Sequence, residues 1–194
     1  MMNQFYLLEG YSEQAYPYAY KDTSLLGRKT QICETCGRQV SSWSFSGPHQ
    51  LLLEGSGDYP DRLMFCGAGG PLFILSATAA QIFDKNGISG ISQTSPIETM
   101  HDQAVSPRYV LAQISGTIDL DFKKMGLKKK RRCTSCGSFE WNRQRMYPLY
   151  LNEETWDGSD ICRVSSIPGY IICTDRVASL VKDQKLSGFC FKPL

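Results

Sequence analysis

Two stretches of the chain carry the same succession of apolar and polar positions. One runs Leu72-Phe73-Ile74-Leu75-Ser76-Ala77-Thr78-Ala79-Ala80-Gln81-Ile82-Phe83, the other Tyr170-Ile171-Ile172-Cys173-Thr174-Asp175-Arg176-Val177-Ala178-Ser179-Leu180-Val181. Each opens with four apolar residues, which suits a short buried strand. Each then reaches a hydroxyl residue, Ser76 or Thr174, placed to cap a helix by accepting from an amide that lacks a helical partner. Apolar side chains follow at 79, 80, 82 and 83, and again at 177, 178, 180 and 181, which is one face of a helix. The helices are expected to stop near Gly87 and near Lys185. A Ser-Gly inside a second apolar stretch, Ile88-Ser89-Gly90-Ile91 or Leu186-Ser187-Gly188-Phe189, then predicts a return strand.

These two units align without gaps at a spacing of 98 positions, from residue 72 to residue 170. Upstream, Phe5-Tyr6-Leu7-Leu8 matches Tyr109-Val110-Leu111-Ala112 at a spacing of 104. Between them, Cys33-Glu34-Thr35-Cys36-Gly37 recurs as Cys133-Thr134-Ser135-Cys136-Gly137 at a spacing of 100. A spacing that shrinks stepwise along the chain is what short loop deletions leave in a duplicated architecture. The expected organisation is a first half at 1–97, a connector at 98–105 and a second half at 106–194, packed separately or as one domain. The expected class is α+β, two similar strand-helix-strand halves joined by a shared metal site. Gly55–Pro60 and Gly67–Pro71 read as turns, and 92–107 as the joining segment.

Cysteine carries the chemistry. Four of the eight cysteines lie in the two pentapeptides, and Cys66, Cys162, Cys173 and Cys190 are scattered. Cys173 and Cys190 sit among apolar neighbours and read as small core hydrophobes. Two thiolates two residues apart can reach one cation from a single tight turn, and a following glycine permits a crowded backbone. Two such knuckles, Cys33 with Cys36 and Cys133 with Cys136, supply the four sulfurs of a closed structural zinc site. Residues 37 to 132 separate the pairs, far more than the roughly 15–20 of a zinc ribbon. A shared ion would therefore tie distant segments together. The alternative is two separate dithiols, but neither CxxC has the strand-to-helix flanks of a thioredoxin-like site.

Composition narrows the classes. Of 194 residues, 42% are hydrophobic and 21% charged, which is globular composition rather than disorder. Apolar runs stop at four residues, so no membrane span is expected. The start, Met1-Met2-Asn3-Gln4, carries no secretory pattern, and a reducing, cytoplasmic location is expected, where thiols stay unpaired. Net charge is only +2, and Lys128-Lys129-Lys130-Arg131-Arg132 beside the second knuckle is the one basic run. It reads as a solvated face or a contact for an acidic protein, with nucleic-acid phosphate as the alternative. Tyr11, Tyr16, Tyr18 and Tyr20 form a tyrosine-rich stretch that suits either an interface or a half-exposed strand. Gly67-Ala68-Gly69-Gly70 lacks the Lys-Ser/Thr of a phosphate loop, and Glu153, Glu154, Asp157 and Asp160 form no recognisable acid/base pair. No enzyme is expected.

The pentapeptides Cys33–Gly37 and Cys133–Gly137, Gly69-Gly70-Pro71-Leu72 leading into a strand and helix, and the closing Ile171–Thr174 and Leu186–Phe189 patterns together resemble the double-CXXCG motif family. Its members are bacterial proteins associated with immunity in polymorphic and contact-delivered toxin systems. The resemblance implies a cytoplasmic, non-enzymatic protein that binds and blocks a cognate toxin. It assigns no contact residues. The basic run before Cys133 has no place in that family pattern.

Overall fold

The computed structural model describes residues 4–11, 18–22, 29–37, 39–42, 49–54, 58–64, 72–100, 108–127, 133–136 and 148–194. Gly67–Pro71, Cys66, Tyr16 and Lys128–Arg132, all singled out in the sequence, lie outside them. Strands dominate. In chain order they are β1 (Phe5–Glu9), β2 (Tyr18–Asp22), β3 (Lys29–Ile32), β4 (Gln39–Ser42), β5 (His49–Glu54), β6 (Arg62–Leu63) and β7 (Phe73–Ser76). After helix α1 (Ala77–Lys85) come β8 (Ile91–Met100), β9 (Tyr109–Ile114), β10 (Gly116–Leu120), β11 (Leu151–Asn152), β12 (Ile161–Val164) and β13 (Ile167–Thr174). Helix α2 (Asp175–Asp183) and β14 (Cys190–Pro193) complete the set.

The fold is mixed α/β, with two six-stranded sheets ordered β11-β10-β12-β13-β1-β14 and β2-β5-β8-β9-β7-β6, plus the ribbon β3-β4. Neither strand-helix-strand unit pairs its own two strands. β9 lies between β7 and β8, and β1 lies between β13 and β14, antiparallel in every case. Each early strand is thus inserted into the sheet built around the other helix. The registers correspond as well. Phe5 opposes Thr174 and Leu7 opposes Ile172; Tyr109 opposes Ser76 and Leu111 opposes Ile74. These pairs are related by the spacings of 104 and 98 read from the sequence.

Alternation along the exchanged strands builds three apolar clusters. Leu8 and Ala112 face inward with Ala79 and Phe83 of α1 and Val177 and Val181 of α2. Phe5 and Leu7 face a second cluster with Ile118 and Ile172, and Tyr109 and Leu111 a third with Leu51 and Ile74. The predicted helical faces are the ones buried. Ser76 caps α1, its Oγ accepting from the Ala79 amide at 3.0 Å. Thr174 makes no such bond, although its hydroxyl donates to Asp160 at 3.0 Å as that of Ser76 donates to Asp61. Both helices end in the same paired hydrogen bonds, with Ile88 and Leu186 amides reaching back to Phe83 and Val181. That turn puts Gly87 at φ 62° and Lys185 at φ 53°.

The segment expected to join the halves instead begins as strand, since β8 runs to Met100 through Pro96. Its pairing with the neighbouring β5 involves only Ile97–Met100, beyond the proline. Cys190, expected in the core, is exposed on β14, where the flanking Phe189 and Phe191 take the inward positions. Tyr11 is buried, its hydroxyl accepting from the Met64 amide at 2.8 Å. Tyr18 and Tyr20 lie in β2.

Two aspartates lock the sheets together, Asp61, which the sequence reading passed over, and Asp160, which it weighed only as part of an acid/base pair. The Asp61 carboxylate accepts from the Ser76 hydroxyl at 2.9 Å and from the Ser187 amide at 2.9 Å and hydroxyl at 3.1 Å. The Asp160 carboxylate accepts from Thr174 at 3.0 Å and from the Ser89 amide and hydroxyl, each at 2.9 Å. Each aspartate thereby joins its own sheet to the Ser-Gly that follows the other sheet's helix. The glycines have no substitute: a Cβ on Gly90 or Gly188 would lie 2.0 Å from the Ile161 carbonyl or 2.3 Å from that of Arg62, at φ +92° and +79°. On the Asp160 side, Arg176 adds an ion pair at 2.9 Å and a bond to the Asn86 carbonyl.

Removing either carboxylate strands several partly buried donors. Asp61→Ala and Asp160→Ala are each expected to lower unfolding free energy by about 2–4 kcal/mol in denaturant melts. Lys185→Gly is expected to raise it by about 1 kcal/mol, because only glycine takes that left-handed backbone without strain. For a chain of this size the corresponding rise in melting temperature is about 2–4 °C.

Candidate metal centre

The two knuckles meet. The first is the tip of the β3-β4 ribbon, where Lys29 opposes Ser42 and Ile32 opposes Gln39, leaving Cys33–Cys36 to form the turn. Its backbone closes through the Gly37 amide, which donates to the Cys33 carbonyl at 2.8 Å, with Gly37 at φ 68°. This is the left-handed glycine that the pentapeptide implied; Gly137 lies outside the described residues. The second knuckle, Cys133–Cys136, is likewise a turn.

Contacts between them join residues with a constant separation of 100. Cys33 Sγ lies 3.7 Å from Cys133 Sγ, and Cys36 Sγ lies 3.6 Å from Cys136 Sγ. Thr35 and Ser135 hydroxyls hydrogen-bond at 2.6 Å. Like residues facing like residues is the signature of a local two-fold relation between the turns. All four sulfurs fall within 4.8 Å of one another. A tetrahedron with Zn–S bonds of about 2.3 Å has sulfur–sulfur edges of about 3.8 Å, close to the two short distances here. A disulfide needs about 2.05 Å, so these are four separate thiols arranged to bind one metal ion.

Local electrostatics agree with a thiolate role. The Cys33 thiol is held below its ordinary value, chiefly by the backbone N–H of Cys36, against a partial desolvation, with the Thr35 amide adding to the effect. Amides aimed at sulfur stabilise the charged ligand and orient it, as outer-shell donors do in metal sites. The donor set is four soft thiolates, which suits zinc and, in the same tetrahedral geometry, iron.

The remaining described cysteines differ in kind. Burial pushes the Cys162 and Cys173 thiols up to about 12, with Asp157 adding to the effect at Cys162 and Arg62 opposing it at Cys173. They are inert at neutral pH, because the thiolate is the reactive form. Glu153 and Glu154 form an exposed single turn, whereas Asp157 binds the Thr117 amide at 2.8 Å and Asp160 belongs to the sheet lock. No helix among the described residues is long and apolar enough to cross a membrane. Neither the family models nor the curated proteins contain a match to this chain.

Metal analysis of purified protein is expected to give one zinc per chain, and Cys36→Ser to lose it together with a large drop in melting temperature. Structural zinc contributes about 10–16 kcal/mol in small peptides, comparable to a domain's whole stability of about 5–15 kcal/mol. With native metal-loaded protein, iodoacetamide at pH 7.5 is expected to modify Cys190 and spare Cys162 and Cys173. Chelation should then open Cys33, Cys36, Cys133 and Cys136 to the reagent, as read by peptide mass mapping.

Proposed function

We propose that this chain is an immunity protein, a non-enzymatic cytoplasmic binder that neutralises a cognate bacterial toxin. Its shape is fixed by one structural zinc on Cys33, Cys36, Cys133 and Cys136, shared by two copies of a strand-helix-strand unit. The observation that carries the reading is the four-sulfur cluster, formed by the two pentapeptides that resemble the double-CXXCG motif family. Four protein thiolates fill a tetrahedron and leave no position for water or substrate, so such an ion supplies rigidity rather than chemistry.

In this reading neutralisation is stoichiometric. A preformed surface covers the toxin's active site or holds the toxin in an inactive conformation. Rigidity favours affinity, because a surface ordered before the encounter loses little entropy on binding. The metal, the exchanged strands and the aspartate locks all serve that preorganisation. A second reading, nucleic-acid binding, draws on the basic run Lys128–Arg132 immediately before Cys133.

The decisive experiment is to search the genes beside this one for a toxic domain and to co-express it with this chain. Growth arrest is expected to be relieved, with a stable 1:1 complex on gel filtration and no covalent change in either partner. Cys36→Ser is expected to abolish the relief. Retention on DNA or RNA that falls steeply with salt, and disappears with alanines across 128–132, together with unrelieved arrest, would instead establish the second reading.

A further inference from the structure

Beside α1 the corresponding positions of the two sheets differ in side-chain size, and there the molecule has a cleft of about 480 Å³. It lies between α1 and the β8-β9 pair, lined by Leu75, Ile91 and Val110, with Gln81, Asp84 and Thr94 exposed at its mouth. The matching positions in the other sheet carry larger side chains. Strand register equates Val110 with Tyr6, Thr94 with Phe191 and Ile91 with Phe189. Those three aromatic rings pack on one another: Tyr6 meets Phe191 edge-on at 5.9 Å, and Phe189 stacks on Phe191 at 6.1 Å. Where one side carries three rings, the other carries valine, threonine and isoleucine.

Two more differences coincide with the cleft. β8 contains a bulge between Ile91 and Gln93, which makes room for one extra residue, Ser92, and shifts the register relative to β14 from there on. Bulges re-aim neighbouring side chains and twist a strand away from its sheet. The helix position that is Lys182 on α2 is Asp84 on α1, beside the cleft. A cleft with an apolar floor of Leu75, Ile91 and Val110, roomy enough to admit a ring and carrying a carboxylate at its lip, complements an aromatic group next to a positive charge.

We infer that this cleft is a socket for an aromatic side chain, tyrosine or phenylalanine, presented by a partner protein beside a lysine or arginine. The partner's ring would take the place that Tyr6 and Phe191 take on the other side, and its cation would meet Asp84. Buried aromatic anchors of this kind dominate interface energetics. The identification of that partner as the toxin rests on the function proposed above; the socket itself does not.

The test uses the full-length metal-loaded protein and two probes, N-acetyl-tyrosyl-arginine amide and uncharged 4-methylphenol, followed by amide and methyl NMR shifts. Both probes are expected to shift Leu75, Ile91 and Val110 in saturable fashion. Thr94→Phe, which installs the ring present on the other side, is expected to weaken both at least about tenfold, and Val110→Tyr to do the same. Asp84→Asn is expected to weaken the peptide about threefold and leave the phenol unchanged. Metal content and melting temperature establish that each variant is folded. Absence of saturable shifts in the wild type, or shifts that survive in folded Thr94→Phe and Val110→Tyr, overturns the socket. So does concentration-dependent self-association through the same residues, which would make a second copy the occupant. Wild-type protein that binds both probes yet relieves no toxin keeps the socket and removes the immunity reading. Relief of toxicity by the wild type and by Thr94→Phe alike keeps the immunity reading and removes the socket as its contact.

Discussion

Everything in this architecture depends on β1 and β9 being buried in each other's sheets. A strand in the middle of a sheet has both edges hydrogen-bonded and both faces covered, so its removal opens the whole layer. Phe5 and Leu7 belong to the cluster around Ile172, Tyr109 and Leu111 to the cluster around Ile74. Neither helical unit therefore has a complete core without a strand from the other. Asp61 and Asp160 repeat the dependence in polar form, each spanning from one sheet to the other's Ser-Gly. The cysteine cluster repeats it a third time, between turns separated by 100 residues. Strand, carboxylate and thiol all cross the same divide.

Much of this was legible in the sequence because repeats leave a record that single elements do not. The spacings of 104, 100 and 98 fixed which residues would correspond, and the paired registers of β1 and β9 follow them residue for residue. Helix faces, the Ser76 cap and the meeting of the knuckles were equally readable, since each rests on local periodicity or ligand chemistry. Strand exchange was not, because apolar pattern gives the face of a strand and never its partner. The lock aspartates were hidden for a related reason: an aspartate just before a short strand resembles any turn residue until its partner, over 70 positions away, is known. Cys190 misled because it lies between two phenylalanines, and alternation turns the middle residue of such a triplet outward.

The proposed role suits a molecule in which strand, carboxylate and four cysteines arranged to bind a metal ion all join the same distant segments. A binder gains from holding its surface still. The departures from two-fold correspondence then carry the individuality of the protein. Arg176 braces one lock while its counterpart is Thr78, and Phe191 packs on Tyr6 while its counterpart is Thr94. A symmetric frame with asymmetric fittings lets one surface diverge without disturbing the core.

Strand exchange also sets a timetable for the nascent chain. β1 is made well before its neighbours, which are Thr174 and Ile172 on one side and Lys192 and Phe191 on the other. At about 5–20 residues per second, Leu7 waits on the order of ten to forty seconds for Lys192 to be made. During that interval an apolar strand has no partner, and a second ribosome on the same message carries an identical one. Completion of this sheet is therefore expected to wait for the synthesis of β14 and to favour dilute, slowly initiated synthesis.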